Sequence, residues 1–264
     1  MDGALASALL WTQRLTGLAV LLQTLELASL RRAFADDGVW RWSILRDEHR
    51  ALALPLRQLF AVLLPYRAFL AVLLARAALA CLLGAGVGEV AWLLALSQLL
   101  IGARFRGTFN GGSDYMTMVL LLGLSLASLP WGALPARAGL GYICAQLTLS
   151  YVIAGGVKLR QPAWRSGQAL AVVLRSERYA VPGWVAALAR KPKAARCVSW
   201  LVMLFELAMP WAISSPRAAL VAISLGLVFH AANALALGLN RFLFAWAAAY
   251  PALWYFARAL GVEP

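Results

Sequence analysis

Charge is scarce in this chain. Only 13% of its 264 residues are Asp, Glu, Lys or Arg, about half the share usual in soluble domains. A water-exposed globular surface is hard to cover with so few. Cysteine is scarce too: Cys81, Cys144 and Cys197 are the only three. They are far apart and lack C-x-x-C spacing, so they support neither a metal site nor a disulfide framework. No internal repeat, low-complexity tract or soluble domain interrupts the chain. Its glycines follow neither a phosphate-loop nor a dinucleotide pattern. The start, "MDGALASALLWTQRLTGLAV", has Asp2 in place of a basic region and Arg14 within the apolar stretch, so a retained first helix is expected rather than a cleaved signal. Neither end shows a lipidation motif.

What is abundant is apolar. Hydrophobic residues make up 62% and mean hydropathy is +0.75, the profile of an integral membrane protein. The net charge of +13 then fits basic loops beside membrane helices, since no aromatic-basic stripe of the single-strand-binding kind is present. The fold class expected is all-α: a polytopic membrane bundle of about eight helices, forming a single transmembrane domain over residues 1–264. The spans expected are Ala4–Leu30, Tyr66–Gly84, Val90–Leu100, Tyr115–Leu129, Gly139–Val157, Cys197–Ile213, Arg217–Leu239 and Phe242–Leu260. The third and fourth are short for a bilayer, so seven is the alternative count.

Basic residues fall on alternate connections. They crowd residues 31–66 and 158–196, with Arg104, Arg106 and Arg241 on the same side, against Arg137, Arg217 and Arg258 on the other. The positive-inside rule puts the basic side in the cytoplasm and both termini outside, in a multi-pass cell-membrane protein. Within the two basic stretches, "ALALPLRQLFAVLLPY", "GQALAVVL" and "AVPGWVAALA" are short, apolar and flanked by arginine, as helices lying in the interface are.

Polar groups inside spans are costly and turn towards the protein interior. Counted at about 1.5 Å per residue, Arg76, Glu206, His230 and Gln146 all lie about 14–18 Å from the basic side. The matched depth predicts a buried Arg76–Glu206 pair with His230 and Gln146 nearby. That group would serve either as a packing network or as the lining of a substrate cavity. His230 and Asn233 share a helix face, with Ala231, Ala232, Ala234 and Gly238 allowing close approach. One lone histidine is too few for a metal site. In "FNGGSDYM", Asn110, Gly111 and Gly112 are expected to turn and Ser113 or Asp114 to cap the next helix.

One stretch, "YVIAGGVKLRQPAWRSGQAL" (151–170), carries more. On residues alone, Lys158 is a helix-end lysine reaching for the interface, with Trp164 an anchor beside it. Yet the order Tyr151, Ala154, Gly155, Lys158, Leu159, Trp164 and Gly167 resembles the A-G-x-x-K-L…W-x-x-G signature of the HTTM (horizontally transferred transmembrane), vitamin K-dependent gamma-carboxylase-like family, in its short bacterial membrane-only form. "DDGVW", "FNGGSDYMTMVLLLGLSL" and "FHAANALALGLNRFLFAW" resemble further family segments, so Asn110, Gly111, Gly112 and Asp114 join the motif.

The resemblance implies a lysine base. In gamma-carboxylases the motif lysine deprotonates reduced vitamin K, oxygenation yields a strong base, and that base opens a substrate glutamate to carbon dioxide. By this resemblance Lys158 is the candidate base and a reduced quinone is the cofactor it implies, the cofactor being otherwise unknown. In the enzyme reading the residues at matched depth join it: His230 as a second catalytic candidate, and Arg76, Gln146, Glu206 and Asn233 as candidates for binding substrate. A neutral amine is required, which desolvation favours. Three readings remain open: a quinone-linked or peptide-modifying enzyme, carboxylase-like or of lyase or oxidoreductase type; a non-catalytic membrane protein for maturation or export of a secreted peptide, of the sporulation-delaying protein B type; and a transporter, which the midplane polar groups allow although paired broken helices in two halves are not evident. Carboxylases carry an N-H-x-Y-L segment, and here Gly111 stands where its histidine falls. Animal carboxylases also place the lysine towards the lumen, whereas the charge pattern places Lys158 towards the cytoplasm.

Overall fold

A computed structural model describes residues 2–105, 111–176 and 181–261. These residues are helical and contain no strand, as composition predicted. The chain divides into two compact units. One joins Met1–Thr12 to Leu140–Pro264, and the other is Gln13–Gly139.

In the Gln13–Gly139 unit, most of α1 (Gly3–Ser29) is followed by short α2 (Arg31–Phe34), α3 (Trp42–Leu45) and α4 (Leu54–Leu63). Then come α5 (Tyr66–Gly84), α6 (Ala91–Arg104) and α7 (Gly111–Ala127), which pack in sequence order. Gly17 makes a close crossing possible: a Cβ there would sit 2.6 Å from the Ala80 carbonyl oxygen and 2.7 Å from the Gly84 nitrogen. A core of Leu27, Phe34, Leu64, Phe69, Leu73, Ile101 and Phe105 closes one end. Arg104 is fully buried beside it. Its guanidinium donates to the Leu64 carbonyl at 3.1 Å, the Phe34 carbonyl at 2.9 Å and the Trp40 carbonyl, and it lies over the Phe34 and Phe69 rings. One side chain thus supplies donors to three loop carbonyls that would otherwise be buried without them.

The other unit takes α8 (Ala133–Arg160) from Leu140 onwards. Short α9 (Pro162–Arg165), α10 (Gln168–Arg175) and α11 (Gly183–Leu188) follow, then α12 (Pro192–Ala208), α13 (Pro216–Leu237) and α14 (Asn240–Leu260). Ser215 caps α13, its hydroxyl accepting from the Ala218 N–H at 3.2 Å, and Pro216 takes the first turn, where no donor is needed. Gly238 ends the helix in the left-handed region, φ 68°, a conformation that favours glycine. The chain reverses there, and α14 packs along α13.

Among the described residues, five helical stretches are long and apolar enough to cross a membrane: Gly3–Ser29, Tyr66–Gly84, Ala133–Arg160, Pro192–Ile213 and Pro216–Leu237. The three other expected spans are also helical, but α6 and α7 have 14 and 17 residues. α14 has 21 residues, interrupted by Pro251. Short helices occupy both basic stretches. Of "FNGGSDYM", Phe109 and Asn110 lie outside the described residues. Gly111 and Gly112 do not turn: they are the first residues of α7. Asp114 lies in its first turn, where the helix dipole favours an acid, and accepts from Gln23 Nε2 at 2.6 Å.

Candidate functional site: an apolar cavity with a lysine–glutamate pair

The family-like stretch shapes one wall of a cavity. α8 runs unbroken through Lys158 to Arg160, and the chain turns at Gln161–Pro162 to bring Trp164 back beneath the lysine. The Lys158 Nζ lies 5.5 Å from the centre of the Trp164 ring, in cation–π range. Gly167, at φ 81°, starts α10 in a conformation open to glycine. A Cβ there would strike the backbone of Ala195 and Arg196, so the last motif residue lets α10 lie directly against α12.

Gly155 does the same between α8 and α12. Its missing side chain leaves room for Glu206: a Cβ would stand 3.0 Å from the Glu206 Cβ and 3.0 Å from the Leu207 Cγ. One turn further along α8, the Lys158 Nζ donates to both Glu206 oxygens, at 2.6 and 2.8 Å. The lysine side chain is 19% exposed and the glutamate 3%. A snorkelling lysine would keep its ammonium in water; this one is turned inward to a carboxylate.

Both residues line a cavity of about 410 Å³, whose walls come from α8, α9, α10, α11, α12, α13 and α14. The lining is mainly apolar, with Leu170, Val198, Val202, Phe229, Phe242 and Trp246 among it. Two helical turns from Lys158, the Tyr151 hydroxyl is 2.7 Å from His230 Nε2 and 2.8 Å from the Tyr250 hydroxyl. Tyr151, His230 and Asn233 also line the cavity. Two buried polar atoms on lining residues, His230 Nδ1 and Trp246 Nε1, have no hydrogen-bond partner among the described residues. Such orphans are uncommon in native interiors and costly.

The expected Arg76–Glu206 pair does not form as predicted. Glu206 is taken by Lys158. Arg76, fully buried in the Gln13–Gly139 unit, donates to Gln23 Oε1 at 2.7 Å, Gln98 Oε1 at 2.5 Å and Thr24 Oγ1 at 3.2 Å. It also donates to the Ser97 hydroxyl and, at 3.3 Å, to the Leu94 carbonyl. Depth counting gives height along a helix but neither its tilt nor the direction a side chain takes. It also neglects the reach of a lysine stem, which carries Nζ well away from its Cα. Gln146, half-buried on α8, does not line the cavity. Tyr250 and Trp246 were missed altogether: both read as ordinary aromatic residues of an apolar helix. Among the described residues, no group of three or more His, Cys, Asp or Glu could hold a metal ion.

Fold and cavity define the class: a polytopic α-helical integral membrane protein with a largely apolar cavity carrying an inward-turned lysine. The family model of the HTTM domain matches residues 139–257. The matched segment resembles the HTTM family and holds Lys158, Glu206, Tyr151 and His230. Searches of the curated proteins and of the solved structures each returned no match.

Proposed function

We propose that this protein is a membrane enzyme acting on an apolar ring compound that bears ring hydroxyls, of the reduced-quinone class, with Lys158 as the base. The observation that carries the reading is the Lys158–Glu206 pair lining an apolar cavity of about 410 Å³. That volume lies within the usual range for small-molecule sites. The aromatic lining suits a flat ring, and the polar atoms suit its oxygens.

Lys158 and Glu206 have complementary tasks. The amine, when neutral, takes the proton of a ring hydroxyl, and the substrate is left with the negative charge. Glu206 steadies the ammonium that results and fixes the direction of Nζ. Gly155 and Trp164 position the pair. At the Tyr151 end, His230 Nδ1 and Trp246 Nε1 are buried without a hydrogen-bond partner among the described residues. Asn233 adds an amide. Of the other site candidates, Arg76 and Gln146 have no part in this step. The family-motif residues Gly112 and Asp114 belong to α7 and are assigned no role in it.

The test uses the full chain in phosphatidylcholine nanodiscs with a short-tailed reduced naphthoquinone. Binding is read by quenching of tryptophan fluorescence and turnover by oxygen uptake. Wild type should bind and turn over. Lys158→Met should keep affinity within about threefold but lower turnover by at least 100-fold, as loss of a general base typically does. Binding without turnover in the wild type would favour the non-catalytic reading. No saturable binding would sink the quinone class.

A further inference from the structure

A second cavity, of about 550 Å³, lies in the Gln13–Gly139 unit, apart from the lysine site in both residues and chemistry. One wall is the segment Trp42–Arg50. The other is the Leu54–Ala61 side of α4. Three arginines, Arg46, Arg50 and Arg57, line it against one carboxylate, Asp47. Asp47 accepts from Arg50 at 2.9 Å and lies 3.9 Å from Arg46. Arg57, from the opposite wall, makes no hydrogen bond or ion pair among the described residues.

The groove is built, not a chance of mobile side chains. His49 is buried at its floor, its Nε2 3.2 Å from the Ala103 carbonyl oxygen. The imidazole stacks on Trp42, centres 5.8 Å apart, and meets the Phe60 ring edge-on at 5.2 Å. Those contacts fix the two walls to each other.

The rest of α4 identifies the surroundings. No residue of this ten-residue helix is buried. Arg57 and Ala61 face the groove, whereas Leu59 and Val62, on a different face, are 45% and 68% exposed. A helix with a cationic side and an exposed apolar side at Leu59 and Val62 is suited to lie in the plane of a membrane interface.

We infer that the groove between α4 and the Trp42–Arg50 segment binds the phosphate headgroup of an anionic phospholipid. The arginines supply bidentate donors that match phosphate oxygens, and the lipid's acyl chains run over Leu59 and Val62. A free phosphate could use the same donors but would leave Leu59 and Val62 uncovered.

The full chain in phosphatidylcholine nanodiscs, with spin-labelled phosphatidylglycerol as probe, tests this. The fraction of motionally restricted label measures selectivity over labelled phosphatidylcholine. Wild type should prefer the anionic lipid. Arg57→Gln should lower the preference about fivefold, the effect of one arginine at an anionic surface. Combined Arg46→Gln and Arg50→Gln should lower it further, and Arg57→Lys should restore part. Arg31→Gln, an exposed basic residue outside the groove, should leave it unchanged. Because Arg57 has no partner among the described residues, its variants should keep the wild-type melting temperature.

Equal loss with Arg31→Gln would overturn the site in favour of diffuse basic attraction. No loss with Arg57→Gln would overturn it outright. Displacement of the labelled lipid by inorganic phosphate, at an ionic strength where sodium chloride displaces none, would reassign the groove to free phosphate. None of these outcomes depends on quinone binding.

Discussion

Gly155 shows how much of the site rests on what a residue omits. Gly155→Ala would push the Glu206 Cβ and Leu207 Cγ from contacts of 3.0 Å. Overpacking of this kind costs about 1–3 kcal/mol, so the melting temperature should fall by about 2–4 °C per kcal/mol. Thermal unfolding in nanodiscs checks it, and an unchanged midpoint would mean that α8 and α12 are not closely packed. Tyr250→Phe should remove one hydrogen bond from Tyr151 while leaving His230 in place, at about 1 kcal/mol. Gly226→Ala should act on the same contact, since a Cβ there would meet the Tyr250 hydroxyl. At this scale Lys158 and its spaced glycines were legible, because a motif is a local pattern. The partner of Lys158 was not. Glu206 is 48 residues away, and nothing local links the two.

Among elements, the loop region before α5 is held by a single buried guanidinium. Arg104→Met would leave the carbonyls of Phe34, Trp40 and Leu64 without their donor. At about 1–3 kcal/mol for each unsatisfied buried group, the loss is at least about 3 kcal/mol. Hydrogen exchange should then rise selectively over residues 34–64, with the far helices unaffected; uniform exchange across the chain would mean that Arg104 has no such local role. Helix positions were largely legible in the sequence, because hydrophobic runs, Pro216 and Gly238 act within a few residues. α5 and α13 lie where the pattern put them. The Arg104 latch was not legible: on sequence it counts as one more basic loop residue, and its carbonyl partners carry no side-chain signature.

For the molecule as a whole, the charge pattern predicts that Lys158 and the two basic stretches share the cytoplasmic side. In a variant with Cys81, Cys144 and Cys197 replaced, Ser166→Cys should react with an impermeant maleimide only from the cytoplasmic side. Trp131→Cys, 72% exposed in wild type, should react only from outside. The reverse pattern would place the lysine site as in animal carboxylases and show that basic loops do not set this orientation.

Composition and periodicity alone determined that this is an all-α membrane protein and where most helices lie; it was a resemblance to a family signature that singled out Lys158. Those features are local and repeated, so a bilayer reads them one helix at a time. Only the tertiary structure decided which way Lys158 turns, that Glu206 rather than solvent receives it, and that Arg76 finds its partners among Gln23, Ser97 and Gln98. Such pairings depend on helix rotation and tilt, which packing against neighbours sets and a hydrophobic run does not encode.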